Sequence, residues 1–384
     1  MNHYDATDSA DSAGRPLISP CGAELSVIVP TFNEADNVGP LIEALDVALA
    51  GLRWEVIFVD DDSPDGTAAV VREKAWGDSR IRCLHRIGRR GLSTACIEGF
   101  LASSAPILAV FDGDMQHDEA ALPEMLRIMR THADVDIVVG TRYSNGGGIG
   151  DWDATRASIS RFATWLSRLV LKADLSDPMS GFFMVRRRVV QAEAKFLSGI
   201  GFKILLDLFA SAQIPLVWKE LPYTFRSRVR GESKLDSQAA WDYAMLLLDK
   251  KIGRFLPARF LSFALVGTFG VLVDLSTFGV LTKLFAFSFV AGRIGAVASA
   301  MTANFLVNNA LTYRDRRLKG LRLLRGWVSF SLACSLGALS NVGISNYLHS
   351  NNVSEIVSII GGIAVGVVWN YAVTSIYTWG EARA

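Results

Sequence analysis

The sequence predicts two units in one chain: a Rossmann-like α/β domain with a mostly parallel sheet, followed by an all-α, four-helix transmembrane domain. Three observations predict this. Short β-branched apolar runs alternate with helix-spaced stretches up to about residue 252. Polar clusters rich in Asp, Asn and Arg follow most of those runs. From about residue 257 the chain changes to long apolar stretches that carry almost no charge.

Residues 1–23 are polar and acidic with no apolar centre. They fit neither a signal peptide nor a span, and a disordered tail is expected. LSVIVP (25–30) and WEVIFV (54–59) are continuously apolar, the pattern of strands buried on both faces. Between them Val38, Leu41, Ile42, Leu45 and Leu49 fall at helical spacing. IRCLH (81–85), ILAVF (107–111) and DIVVG (136–140) read as further strands, with helices over 66–75, 92–103 and 119–130. Such alternation implies a mostly parallel sheet covered on both faces. Ligands bind such sheets at the carboxyl ends of the strands. PTFNE, DDDSPDGT, DGDMQ and GTRY follow the first, second, fourth and fifth strands, so they would share one edge. The α/β domain is expected over 24–235 and a juxtamembrane helix over 236–256.

The membrane domain is expected over 257–384. Stretches 327–347 and 356–377 have no charged residue, and 260–282 and 285–309 have one each, Asp274 and Arg293. Each reaches the ~20 residues that cross a bilayer. Lys250, Lys251, Arg254 and Arg259 precede the first span, and TYRDRRLKGLRLLRG (312–326) separates the second from the third. Four spans put both basic segments on one side, which the enrichment of Lys and Arg in cytoplasmic loops makes the cytoplasmic one. The α/β domain and the C-terminus are then cytoplasmic. Asp274 and Arg293 lie at similar depth from the turn near Leu284, where they could pair. The four cysteines show no metal or redox spacing. The net charge of +1 is uninformative, and nucleic acid is not an expected partner.

In DGDMQ, Asp112, Asp114 and Gln116 stand at alternate positions. On an extended backbone they would face one way. Two neighbouring carboxylates call for a cation, and Mg²⁺ takes one or two carboxylates and completes its shell with substrate phosphates. The alternative is an acidic loop with Asp118 capping the next helix. No G-x-G-x-x-G follows the first strand and no P-loop Lys is present, which removes dinucleotide dehydrogenases and P-loop ATPases at their own motifs.

Six motifs in order, VIVPTFNE, VDDDSPDGT, DGDMQH, GTRY, DPMSGFF and FRSRVRGESKL, resemble the family-2 GT-A glycosyltransferases, in particular those of the dolichol-phosphate mannose synthase type. The C-terminal part is similar to the GtrA-type four-span module. The resemblance implies transfer of one sugar, with inversion, from a nucleotide to a polyprenyl phosphate, dolichyl or undecaprenyl. The DDDSPDGT and GGG…W…R motifs favour GDP-mannose as donor. It implies that Pro30, Phe32, Glu34, Val59, Asp61, Asp112, Gly113, Asp114, Arg228 and Lys234 hold the nucleotide sugar. Asp112, Asp114 and Gln116 would hold Mg²⁺ or Mn²⁺. Arg142, Arg156 and Ser233 would meet the acceptor phosphate, with Asp114, Arg142 and Arg228 closest to catalysis. His117 reads as a neighbour of the metal motif rather than a base. The rivals are a UDP-glucose or other UDP-sugar enzyme, a lipid-sugar translocator with a regulatory soluble domain, and a non-catalytic anchor. A processive synthase is disfavoured, because QAAWD (238–242) lacks the Arg of Q-x-x-R-W.

Overall fold

The computed structural model describes residues 22–144, 148, 162–168, 170–171, 173–226, 237–253 and 256–380. The chain divides into two compact units, 1–251 and 252–384.

The first unit is built on seven strands: β1 (Leu25–Thr31), β2 (Trp54–Asp60), β3 (Ile81–His85), β4 (Ile107–Val110), β5 (Ile137–Thr141), β6 (Phe183–Arg186) and β7 (Trp218–Pro222). They form one sheet in the order β3-β2-β1-β4-β6-β5-β7. Only β6 runs antiparallel, against both β4 and β5. Strand residues alternate between two cores, as the period of two requires. Val27, Val29, Val56 and Phe58 pack with Leu41 and Leu45 of α1 (Ala35–Ala48), Val71 of α2 (Thr67–Gly77) and Leu122 and Met125 of α4 (Ala121–Thr131). Ile28, Ile57 and Val59 pack with Ala95, Cys96 and Phe100 of α3 (Leu92–Ala102). Val189 of α5 (Arg187–Glu193) and Leu205 of α6 (Ile204–Ser211) complete that second layer.

Helix α7 (Ser237–Ile252) belongs to this unit. Leu246 packs on Met179 and Leu206, and Lys250 Nζ lies 2.5 Å from the buried Asp207 Oδ1. The stretch expected as a separate juxtamembrane element therefore packs into the α/β unit.

The second unit holds α8 (Ala258–Gly279), α9 (Phe289–Val307), α10 (Leu321–Ser350) and α11 (Glu355–Tyr377). The first two continue as π-helical turns, Val280–Leu284 and Asn308–Thr312. All four are long and apolar enough to cross a membrane. They pack as two hairpins that repeat one another. Ser262 Oγ meets Thr312 Oγ1 at 2.7 Å in the first hairpin, and Ser329 Oγ meets Thr378 Oγ1 at 3.0 Å in the second. Asn304 closes over Gly270 and Asn370 over Gly337, so tightly that a Cβ on either glycine would collide with the amide. Close approach at glycine, with amide side chains as polar contacts, is how helices associate in lipid. The contacts between hairpins repeat too: Phe263–Tyr371 and Phe330–Phe305 both have ring centroids 5.7 Å apart. Tyr313 and Trp379, equivalent positions, stack on each other at 4.1 Å and 4°. A residue that meets its own counterpart lies on a two-fold axis. Here that axis is approximate and runs along the bundle, relating parallel repeats.

Candidate active site

The loops after β1 and β2 are tied to each other at the carboxyl edge of the sheet. Asp60 accepts from Ser63 N at 3.0 Å, and Asp65 accepts from Ala35 N at 3.1 Å. Glu34 N donates to Thr67 Oγ1 at 3.0 Å. The first two polar loops thus form one surface, with Phe32 half-buried beneath the Arg90 guanidinium at 4.1 Å from the ring centroid.

Asp61 is buried and already holds protein partners: Arg86 Nη1 at 2.5 Å and Gly91 N at 2.6 Å. Burial pushes its carboxyl above the usual range, against the pull of Gly91 and Arg86. Asp61, expected at the nucleotide, is here an ion-pair acceptor that fixes the loop carrying Arg86. Val59 was also expected at the nucleotide. Its side chain is fully buried among Ile28, Ile57 and Phe100, where it shapes the sheet and offers no side-chain contact to a ligand.

The metal motif is not an extended strand. β4 ends at Val110, residues 113 and 114 turn, and Met115 takes a left-handed φ of 63°. Alternation on an extended backbone is therefore not what groups these residues. The turn brings the Asp114 carboxylate onto Gln116 N at 3.2 Å. Gln116 is pinned from outside: its Nε2 donates to Arg226 O at 3.0 Å and its carbonyl accepts from Arg226 N at 2.9 Å. Arg226 also pairs with Asp118 (2.6 Å) and Glu119 (2.7 Å), so Asp118 is an ion-pair partner as well as a loop residue ahead of α4. The chain leaving β7 thus runs beside the metal turn at Arg226, the second residue of the FRSRVRGESKL motif.

His117 is central here, although the sequence reading gave it no task. Its Nε2 lies 2.9 Å from Asp112 Oδ2 and its Nδ1 2.9 Å from the Tyr223 hydroxyl. A carboxylate only accepts, so Nε2 donates to Asp112. The ring is 2 % exposed and caged by Phe111, Phe182 and Phe225. Burial opposes the charge on Asp112, but His117, Lys203 and Arg142 hold its carboxyl below the usual range. Gly181 permits this packing, since a Cβ there would sit 2.9 Å from Asp112 Oδ2.

Arg142 was expected at the acceptor phosphate. Its Nε and Nη2 grip Asp177 of the DPMSG motif at 2.6 and 2.8 Å, in a pair that is 8 % and 0 % exposed. An arginine expected at the acceptor phosphate is thus a buried clamp joining the GTRY and DPMSG loops. Ser180 Oγ, donating to Gly140 O at 2.7 Å, adds a second tie. Lys203 Nζ donates to Met179 O at 2.9 Å in the same motif. Burial, with help from Arg142, holds its pKa down to about 8. Arg156, Arg228, Ser233 and Lys234, with the glycine-rich stretch after GTRY apart from Gly148, lie outside the described residues.

Among the described residues no three His, Cys, Asp or Glu side chains form a metal cluster. Asp112, Asp114 and Gln116 would offer two carboxylates and an amide oxygen, a hard but incomplete set of the kind Mg²⁺ or Mn²⁺ takes together with substrate oxygens.

The family description "Glycosyl transferase family 2" matches residues 26–192, and "GtrA/DPMS, transmembrane domain" matches residues 262–379. The dolichol-phosphate mannosyltransferase of Pyrococcus furiosus is 33 % identical over 362 residues, covering 93 % of this chain and 99 % of that protein. The Saccharomyces cerevisiae protein of the same name is 34 % identical over 241 residues, 60 % of this chain and 88 % of its own. Among solved structures, glucosyl-3-phosphoglycerate synthase from Mycobacterium tuberculosis, in complex with Mn²⁺, UDP and phosphoglyceric acid, is 16 % identical with a TM-score of 0.43, covering 60 % of this chain and 78 % of that one. The sheet has the GT-A arrangement and the membrane part is multi-pass. Aligned nearly end to end with the Pyrococcus protein, the chain belongs to the dolichol-phosphate mannosyltransferase family and is a glycosyltransferase.

Proposed function

We propose that this enzyme transfers mannose from GDP-mannose to a polyprenyl phosphate at the cytoplasmic face of the membrane, with inversion and a divalent metal. The observation that supports it most is the Asp112–Asp114–Gln116 turn at the carboxyl end of the central strand β4, in a chain that aligns nearly end to end with a dolichol-phosphate mannosyltransferase. The clustering of Lys and Arg at one end of the spans supports the cytoplasmic orientation.

No general base is required of the protein. A phosphate monoester has a second pKa of roughly 6, so the acceptor arrives largely as a dianion. Its oxygen attacks the anomeric carbon, the bond from that carbon to the diphosphate breaks, and the nucleoside diphosphate leaves with the electron pair. Asp112, Asp114 and Gln116 would hold a cation that neutralises the charge on the leaving group. His117 and Tyr223 hold the Asp112 carboxylate in place, and the Arg142–Asp177 clamp keeps the loops around it fixed. Arg228 and Lys234 would contact donor phosphates and Arg156 and Ser233 the acceptor phosphate. Catalysis is then positioning and electrostatics.

The full-length protein in membranes, given polyprenyl phosphate with labelled GDP-mannose or UDP-glucose, tests this. Labelled mannosyl lipid with an inverted anomeric centre is expected. Transfer only from UDP-glucose would replace the donor, and no transfer with either donor would overturn the reading.

A further inference from the structure

The membrane unit carries an open groove of about 320 Å³ that the catalytic turn does not account for. It is lined by Leu318, Arg322, Arg325, Ser329, Tyr377 and Thr378, at the end of the bundle where α10 starts and α11 stops. Arg322 and Arg325 are one helical turn apart on α10, so their side chains share a face. Among the described residues neither has an acidic or hydrogen-bonding partner, whereas Arg259 at the same end pairs with Asp315 at 2.8 Å.

The two hairpins differ at this point of the repeat. The first-hairpin position equivalent to Gly326 is Arg259, which pairs with Asp315. At Gly326 even a Cβ would collide with Leu318 and approach Phe305 to 3.4 Å. The second hairpin thus has a glycine packed under Leu318 where the first has a neutralised cation, and its own cations, Arg322 and Arg325, line the groove. At the base of the groove are the paired hydroxyls of Ser329 and Thr378. Beside it Leu321, Leu324 and Tyr377 are 78 %, 62 % and 76 % exposed, an apolar flank at the end of a span.

Two guanidinium groups suit the oxygens of a phosphate, which they grip by paired, charge-assisted bonds. Hydroxyls add donors, and the apolar flank suits a hydrocarbon chain. We propose that this pocket binds the phosphate head of a membrane lipid, with the lipid-phosphate acceptor as its principal occupant. The identity of that occupant rests on the proposed function. The pocket would hold the acceptor at the membrane unit as a site separate from the catalytic turn.

The test uses the full-length protein in detergent, with lipid retention read by native mass spectrometry. The probes are polyprenyl phosphate, the unphosphorylated polyprenol, phosphatidylglycerol and inorganic phosphate. Wild type should retain polyprenyl phosphate over polyprenol. The double variant R322Q/R325Q should lose about tenfold or more of that retention, two charge-assisted contacts being removed. R322K/R325K should recover part of it, because charge returns without the paired geometry. Retention of phosphatidylglycerol that also falls in R322Q/R325Q supports a phosphate-lipid site and widens its occupant. Unchanged retention in a double variant that melts like wild type overturns the pocket, as does binding of inorganic phosphate alone. If wild type transfers no sugar, the functional reading fails while the retention result still stands. If it transfers normally and R322Q/R325Q retains lipid like wild type, only the pocket fails.

Discussion

Arg293 Nη1 lies 2.7 Å from Asp274 Oδ2, inside the first membrane hairpin. Both charges are costly at that depth unless paired. The repeat shows what replaces them: the equivalent positions in the second hairpin are Asn341 and Ile359, with no charge. The pair is therefore dispensable as a unit and damaging when halved. Asp274→Asn should destabilise the membrane unit by about 3 kcal/mol, the cost of leaving one ion of a sequestered pair. Adding Arg293→Gln should recover more than half. Thermal unfolding in one detergent gives the cycle, and additive losses would refute the coupling.

Asp114→Ala should nearly abolish transfer while membrane insertion stays normal, because it removes a charged donor from the metal turn. Chelation should do the same to the wild type, reversibly with Mn²⁺ or Mg²⁺. Full turnover after confirmed metal removal sinks the metal assignment.

His117→Ala should act through Asp112 rather than on substrate. The carboxylate loses the donor that fixes it, and Mn²⁺ affinity, read by electron paramagnetic resonance, should fall about 10- to 100-fold. Tyr223→Phe should show a smaller loss, since it orients His117 from one atom farther away. Unchanged Mn²⁺ binding in H117A would make the histidine core packing only.

Lys203 supplies a pH dependence. Its pKa is lowered to about 8, so the ammonium is present below that pH and lost above it. Attraction for an anionic donor should therefore weaken as pH rises through about 8 in the unliganded protein. The kcat/KM for donor should bend down there, and Lys203→Met should be lower at pH 7 and lack the bend. A wild-type profile without that inflection removes Lys203 from the electrostatics of the site.

The strands β1 to β5 were legible because each is a short apolar run in a chain that alternates with amphipathic helices. β6 and β7 were not read as strands. FMVR is four residues long, and WKELP carries two charges and ends in proline. The place of the metal motif was legible but its shape was not. The Gln116 contact comes from Arg226, 110 residues away, and no local pattern encodes it. Arg142 looked like a phosphate ligand for the same reason, since Asp177, which claims it, lies 35 residues on. The membrane repeat was present in the sequence, as SF…G and N[F/Y]…T[Y/W], yet unequal spacing between its halves hid it until paired contacts showed which positions correspond.

The boundary between the units makes a last prediction. A fragment ending at Ile252 keeps Leu246 on Met179 and Leu206, and Lys250 on Asp207. It should be soluble, monodisperse, and bind donor and metal by calorimetry, since every catalytic motif is upstream. A fragment ending at residue 236 loses α7. It exposes that apolar seam and leaves Asp207 buried without its cation, although Ser198 N and Gly199 N still donate to it. An unpaired buried carboxylate costs about 3 kcal/mol, enough to unfold a marginal domain. The shorter fragment should therefore melt far lower or aggregate, and adding α7 back should restore donor binding. Equal stability of the two fragments would make α7 a membrane-side element after all, and the catalytic unit would end before it.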